Sequence, residues 1–253
     1  MTAAKMRVRS VVGRLVIQPV VGRLAGLLFG NRIPHRKLTV ITSSELVSDQ
    51  VRASLLLGGY ESAEYRLVKR YIQSDASAIE LGASMGVMTC HLRRRIAHPH
   101  RVISVEADRR LFKLIDANLS ANTSVPVELV NKAIDYSGNA HVDFSFGDDN
   151  LGGSVRADGG ATTFVESVTL RDLVAQLGCD DYSIVSDIEG AEWAMWENDH
   201  EFIARARTCV FELHDAPDGR KAEELVEAIA NDPKLELLER YGNVIAFGPR
   251  RVI

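Results

Sequence analysis

Ser77-Ala78-Ile79-Glu80-Leu81-Gly82-Ala83-Ser84-Met85-Gly86-Val87-Met88-Thr89 is the stretch from which the rest of the chain is read. A short apolar run ends in an acid, two glycines enclose three small or flexible residues, and a helical pattern follows. That order predicts a strand, a tight turn and a helix start. Gly82 can adopt backbone angles closed to other residues, and without a side chain it lets a ligand approach the main chain. The helix opening near Gly86 directs free N–H groups and its positive dipole end back at the turn. Glu80, at the carboxyl end of the strand, is placed to accept hydrogen bonds from a cationic or hydroxylated ligand. In an open α/β sheet, ligands bind in such a crevice outside the strand ends.

A dinucleotide loop would read G-x-G-x-x-G, whereas Ser84 stands at its middle glycine and the pattern here is E-x-G-x-x-x-G. A P-loop needs a Gly-Lys-Ser/Thr ending, which is absent. What remains is an adenosyl ligand without phosphates, such as S-adenosylmethionine, held by carboxylate and backbone contacts. Taken by itself, an ordinary strand–helix connection also explains the turn.

The following strands sharpen the choice. Residues 101–106 form a second buried strand ending in Glu106, 26 residues after Glu80. An acid there is placed to hold both ribose hydroxyls of an adenosyl ligand, as in nucleotide-binding βαβ units. A helix over 109–118 leads to a third strand over 125–130 and then to Ala133-Ile134. A fourth strand over 182–187 brings Asp187, Glu189 and Glu192 to the same carboxyl edge. The helix dipole accounts for Glu189 and Glu192 near a helix start, but less well for Asp187, which ends a buried apolar strand. A fifth strand over 207–213 leaves His214 at the crevice edge, open to chemistry or to packing. A helix over 219–230 and two strands, 234–240 and 243–247, close the fold as a hairpin across Tyr241-Gly242. Trp193 and Trp196, three residues apart, read as packing.

Other segments depart from this rhythm. Residues 38–76 read as helical after a short start, with Ser43-Ser44-Glu45 as a cap and Gly58-Gly59 as a break, and Tyr60-Glu61 opens a helix through Ile72. Tyr65 and Lys69 share the Y-x-x-x-K spacing of short-chain dehydrogenases, but they precede the glycine turn, so the match reads as chance. His91, Arg93, Arg94 and Arg95 read as the solvated face of a helix over 87–97. Residues 138–168 predict an inserted hairpin, since 141–146 and 164–168 alternate and 147–160 is rich in Gly and Asp. It reads either as a flap with a mobile tip near the crevice or as surface decoration.

The 253 residues suit one α/β domain with an appendage, or at most two domains. At 46% hydrophobic and 25% charged, the chain can build a sizeable core. Cys90, Cys179 and Cys209 are scattered, which points away from a disulfide framework or zinc cage and toward a reducing, cytoplasmic setting. Residues 1–44 contain eight lysines and arginines and no acid. They carry +8, which leaves −12 for the rest of a chain whose net charge is −4. An acidic body argues against nucleic-acid binding. Residues 11–30 are long enough to span a bilayer, but Arg14 and Arg23 inside them each cost about 2.5–3.5 kcal/mol near a membrane centre. The same arginines interrupt a signal peptide. The segment reads as a helix packing on the domain or on a second subunit, as a basic patch resting on the inner face of a membrane, or as a disordered arm.

The order of motifs resembles the FkbM family of S-adenosylmethionine-dependent methyltransferases. The resemblance rests on Tyr60-Glu61, Glu80-Leu81-Gly82-Ala83-Ser84-Met85-Gly86, Val105-Glu106-Ala107 and Asn118. It continues in Val168-Thr169-Leu170-Arg171-Asp172-Leu173, Asp187-Ile188-Glu189-Gly190-Ala191-Glu192 and Phe211-Glu212-Leu213-His214, covering roughly residues 58–248. Ser186 stands where the family usually has Lys, and Glu80-Leu81-Gly82 where Asp-Val-Gly is commoner. The resemblance implies a Rossmann-like α/β domain over 58–253, with a mostly parallel seven-stranded sheet whose last strand is antiparallel. A basic helical extension, 1–57, precedes it. It also implies O-methylation of a hydroxyl on a sugar, glycan or related metabolite. Glu80, Gly82, Ala83, Ser84 and Gly86 would then line the methionine end of the cofactor, with Tyr60, Glu61 and Thr89 beside them. Glu106 would hold the ribose, while Ala107, Ala133 and Ile134 would flank the adenine. Asp187 would sit beside the sulfonium and the acceptor. Asp187 or His214 would serve as base with Glu189 orienting it; a divalent cation on Asp187 and Glu189 is the alternative. Two other classes compete: a nucleotide-dependent oxidoreductase, disfavoured by the missing glycine, and a non-catalytic methyltransferase-like scaffold at a membrane.

Overall fold

In the computed structural model, which describes residues 19–146, 153–154 and 162–250, helix α1 (Pro19–Leu28) opens on a proline whose missing N–H has no role in a first turn. An antiparallel pair follows, β1 (Arg32–His35) and β2 (Leu38–Ile41), turning on Arg36 and Lys37, both with positive φ (46° and 68°). Strand β2 occupies the short start expected ahead of the helical stretch. Leu38 and Val40 alternate inward, and the Asn118 and Asn122 side chains accept from the main-chain N–H groups of Ile41 (2.6 Å) and Thr39 (2.8 Å). A helix begins only at α2 (Asp49–Leu56), whose cap is Ser48 rather than Ser43-Ser44.

After α3 (Ser62–Tyr71) comes the βα series: β3 (Ser77–Leu81), α4 (Val87–Arg95), β4 (Val102–Val105), α5 (Phe112–Asn122), β5 (Glu128–Val130) and the short β6 (Ala133–Ile134). The expected insertion forms as β7 (His141–Phe146) antiparallel to β9 (Thr162–Val168), with β8 (Gly153–Ser154) beside β7. Its tip, apart from β8, lies outside the described residues. The chain continues through α6 (Leu170–Leu177), β10 (Tyr182–Ser186), α7 (Glu192–Arg205), β11 (Cys209–Glu212), α8 (Ala222–Asn231), β12 (Leu235–Tyr241) and β13 (Val244–Pro249). Thr169 and Asp172 close a capping box at the start of α6.

Seven strands form one sheet in the order β12-β13-β11-β10-β3-β4-β5. The pairs from β11 to β5 are parallel, and β13 runs antiparallel to both its neighbours. This is the Rossmann-like sheet with a reversed last strand. The winding changes direction between β3 and β10, whose ends Leu81 and Ser186 lie side by side. That switch point is where a ligand crevice opens.

The strands are apolar on both faces, as covered parallel strands must be. Ile79, Leu81, Ile103, Ile184 and Phe211 meet α6, α7 and α8 on one face. Ala78, Val102, Val185 and Val210 meet Leu67, Met88 and Leu92 on the other. The N-terminal elements add Ala25, Ile33, Val40 and Leu55 to a cluster with Met85, Leu114 and Ile115. Helix α1 touches α2 so closely that a Cβ on Gly22 would lie 1.7 Å from the Asp49 carbonyl oxygen. Among the described residues no helix is long and apolar enough to cross a membrane.

The solvated face expected on α4 forms only in part, since Arg94 is exposed, His91 and Arg95 are half-buried and Arg93 is covered. Arg93 is buried and donates to the carbonyls of Ile96 (2.5 Å) and His100 (2.9 Å). Arg94 donates to Lys37 O (2.6 Å) and Arg95 to Ile72 O. These side chains tie the end of α4 to neighbouring main chain, so their hydrogen bonds rather than hydration set their positions.

Candidate functional site

The glycine turn is held from below. Gly82 has φ 85°, and a Cβ there would lie 1.9 Å from the Asp187 carbonyl oxygen. The space freed by the missing side chain is thus filled by the loop after β10, where a ligand was expected. Asp187 N–H donates to Leu81 O at 2.9 Å, closing the same contact. Gly86 (φ 80°) caps α4 against Ile115. Asn118, buried, donates to Met85 O at 2.8 Å while accepting from Ile41, and so clamps the turn to β2.

Above this turn the ends of β3, β4, β10 and β11 and the start of α3 enclose a cavity of about 320 Å³. That volume suits a small-molecule ligand. Glu61, Glu64, Glu106, Asp108, Asp187, Glu189 and Glu212 contribute carboxylates to its wall, and Val105, Ala107, Leu111, Ala133, Ile134 and Phe144 contribute apolar surface. Phe144 brings the inserted hairpin to the crevice. Lys132 is the one lysine or arginine on the wall among the described residues, and it pairs with Glu166 at 3.2 Å.

So many acids with so little counter-charge hold their protons tightly. Burial, reinforced by repulsion from Glu80, Asp187 and Glu212, raises Glu61 to about 8. Burial likewise lifts Glu64 well above the ordinary carboxylate range, with Glu61 and Asp187 adding to it. Glu106 rises to about 7 through burial, although the N–H groups of Ser84 and Asp108, each at 2.7 Å, favour its ionised form. Asp187 rises to about 7 through burial and the nearby Glu212. Glu61 Oε2 and Asp187 Oδ1 are buried with no hydrogen-bond partner. A cation placed among them would reverse each of these shifts.

His214 sits at the edge of this group. Its Nδ1 lies 3.1 Å from Glu192, and its Nε2 lies 3.4 Å from Glu189, 3.8 Å from Asp187 and 3.9 Å from Glu212. Burial alone would lower its pKa, but Glu192, Glu189 and Asp187 raise it to about 9. At neutral pH it is an imidazolium with no lone pair for a proton, suited to holding acids in place. Two sets of side chains bring donor atoms within 4.8 Å of one another: Asp187, Glu189 and His214, and Glu64, Asp187 and Glu212. Both share Asp187.

Of the residues expected from sequence, Tyr60, Glu61, Gly82, Ser84, Glu106, Ala107, Ala133, Ile134, Asp187 and Glu189 reach the wall. Glu80 stands behind it, 1% exposed, accepting from the Ser104 hydroxyl, and burial raises it to about 7. Ala83, Gly86 and Thr89 are buried behind the wall as well, and His214 lies outside it. Sequence reading missed Glu64, Asp108 and Glu212 as wall residues. Glu64 follows Glu61 by three positions on one helix face, and Glu212 ends a buried strand as Glu106 follows one. Glu61, Ser84 and Glu189 carry positive φ (44°, 49° and 52°), and all three are on the wall. Backbone strain of this kind gathers at functional sites.

No protein-family model matches the chain, and no curated protein matches it. Among solved structures it is similar to a ribosomal protein L11 methylase from Lactobacillus delbrueckii subsp. bulgaricus, at 10% identity over 77% of this chain and 80% of that one, with a TM-score of 0.45. It is similar to an O-methyltransferase from Bacillus cereus in complex with SAH, at 16% identity over 73% and 77%, with a TM-score of 0.43. It is also similar to an rRNA methylase from Streptococcus thermophilus, at 9% identity over 74% and 94%, with a TM-score of 0.46. Likeness at this level carries no functional inference, and the reading of the site rests on its own residues.

Proposed function

We propose that the cavity binds S-adenosylmethionine and that the protein transfers its methyl group to a hydroxyl oxygen. The observation that carries this reading is the wall itself: seven carboxylates and one paired lysine around a cavity at the switch point of the sheet. A dinucleotide would bring phosphates against charge of their own sign, which counts against an oxidoreductase. A sulfonium nucleoside brings positive charge and no phosphate. Glu106 holds the ribose, with Ala107, Ala133 and Ile134 against the adenine. Tyr60, Glu61, Gly82 and Ser84 take the methionine end, and Asp187 stands beside the methyl group. The FkbM resemblance supports an acceptor hydroxyl on a sugar, glycan or related metabolite.

In this mechanism the acceptor oxygen forms a bond to the methyl carbon as the carbon–sulfur bond breaks, and its electron pair stays on sulfur. The hydroxyl proton passes to Asp187 and then to solvent. Alignment of oxygen, carbon and sulfur supplies roughly 7–11 kcal/mol of barrier reduction. Proton removal adds about 10²–10⁴-fold. Asp187, raised to about 7, is matched to that task near neutrality, whereas the His214 imidazolium steadies it and Glu189. The product has lost the sulfonium charge, so the acidic wall holds it less firmly.

Calorimetry with S-adenosylmethionine and NAD tests the reading. Saturable binding of the first and none of the second is expected, and Glu106→Gln should weaken the first about 10–100-fold. No uptake of S-adenosylmethionine at millimolar concentration would overturn it.

A further inference from the structure

A second cavity, of about 430 Å³, lies where the turn between β1 and β2 meets the last turns of α3 and α4. Five cationic side chains stand on its wall: Arg36, Lys37, Lys69, Arg94 and Arg95. No acid is on that wall, and none of the five forms an ion pair with a carboxylate among the described residues. Elsewhere on the surface the arrangement differs, since Arg207, Arg220 and Arg240 each pair with acids.

The arginines are held in place without being neutralised. Arg36 Nη2 donates to Gly58 O at 2.6 Å and Arg94 Nη1 to Lys37 O at 2.6 Å, and Arg95 Nε donates to Ile72 O. A guanidinium has five donors, so N–H groups remain over. The Arg36 guanidinium lies 4.2 Å above the Tyr65 ring, which in turn meets the His91 ring at 4.5 Å. His91 Nε2 is buried on this wall with no hydrogen-bond partner. Burial, with the adjacent His35, Arg36 and Arg94, pushes His91 down to about 3, so it is a neutral imidazole at physiological pH.

Cations in the last turn of a helix complement its dipole, which accounts for Lys69, Arg94 and Arg95. It does not account for Arg36 and Lys37. They come from a loop, in left-handed backbone conformations that favour glycine, and they add like charge to a wall already positive. Gathering like charges is unfavourable until a counter-ion joins them.

We propose that this cavity binds a phosphate-bearing anion, received by the Arg36, Arg94 and Arg95 N–H groups with Lys37 and Lys69 adding charge. The proposal stands apart from the methyl-transfer reading. A soluble phosphate group and a phospholipid headgroup present the same chemistry. The second source fits the absence of acid before Glu45 and the exposed Leu24, Leu27 and Leu28 of α1.

Two probes applied to the full chain test it: pyrophosphate by calorimetry, and phosphatidylcholine vesicles with and without phosphatidylglycerol by co-sedimentation. Saturable pyrophosphate binding identifies a soluble source, and binding to phosphatidylglycerol vesicles alone identifies a headgroup. In either case the double variant K37Q/K69Q should weaken binding about 30-fold, roughly fivefold per charge, with unchanged thermal unfolding and S-adenosylmethionine affinity. Neither lysine side chain anchors main chain, so folding is preserved; R94Q, which also loses its bond to Lys37 O, is a second variant expected to weaken binding. The proposal fails if neither probe binds, or if K37Q/K69Q binds the probe as tightly as the parent chain.

Discussion

The two cavities sit at opposite ends of the same pair of helices. Helix α3 starts with Glu61 as N-cap and Glu64 in its first turn at the carboxylate-lined cavity, and it ends with Lys69 at the cationic one. Helix α4 starts at the glycine turn and ends in Arg93, Arg94 and Arg95. Bases at the ends of both helices, and the acid in the first turn of α3, follow the dipole. What separates them is water. Glu64 and Glu106 are 4% and 7% exposed, and their protons are held above the ordinary range, whereas Lys37, Lys69 and Arg94 are exposed. Buried charge of one sign demands a specific partner, while exposed charge selects only the sign of what comes.

The contrast can be broken in several places. The largest effect is expected from Gly82→Ala, which drives a methyl group into the Asp187 main chain. Denaturant titration should show a loss of about 4 kcal/mol or more, or no folded protein, and a variant of unchanged stability would refute the contact. Asp187→Asn should reduce methyl transfer by about 10²–10⁴-fold in a labelled-methyl assay while S-adenosylmethionine still binds and the cationic cavity is unaffected. Parent-like turnover would remove Asp187 as base.

The third test concerns pH. Glu61, raised to about 8, and Glu80, Glu106 and Asp187, raised to about 7, hold protons in the folded chain that the unfolded chain releases. Their stabilising contribution is complete below about pH 4 and disappears as pH rises to about 8. His214, also raised, adds loss in the same direction toward about 9. Thermal unfolding of the ligand-free chain should therefore fall in temperature from about pH 5 to about pH 8, and S-adenosylmethionine should flatten the fall. A level profile without ligand would contradict the account of the acidic wall. The smallest difference concerns salt. Raising ionic strength from about 0.1 M to about 1 M shortens the screening length from ~10 Å to ~3 Å. Anion binding at the exposed cationic wall should drop steeply, and cofactor binding much less.

Part of this molecule is legible in its residue order. A run such as Val102-Ile103-Ser104-Val105 is buried at all four positions, so the acid after it must lie at the sheet edge, and Glu106 does. Asp187 follows by the same reasoning. Glu80 shows where that reasoning stops. It lies inside β3, on the face shared by Ala78, and the pleat turns it inward to Ser104. Hairpin β1–β2 was illegible because its turn has neither glycine nor Asn-Gly. Arg36 and Lys37 hold positive φ in a structure where amides from Asn118 and Asn122, some eighty residues away, secure β2. The cationic cavity was hidden for the same reason, since its basic residues come from three separate elements.

The seam between Gly82 and Asp187 has one further implication. The glycine turn and Asp187 share a main-chain joint with no side chain between them, so neither can shift without dragging the other. Adapting this scaffold to a new acceptor would have to begin on parts outside that joint. Phe144, carried in on the inserted hairpin, is the first such handle.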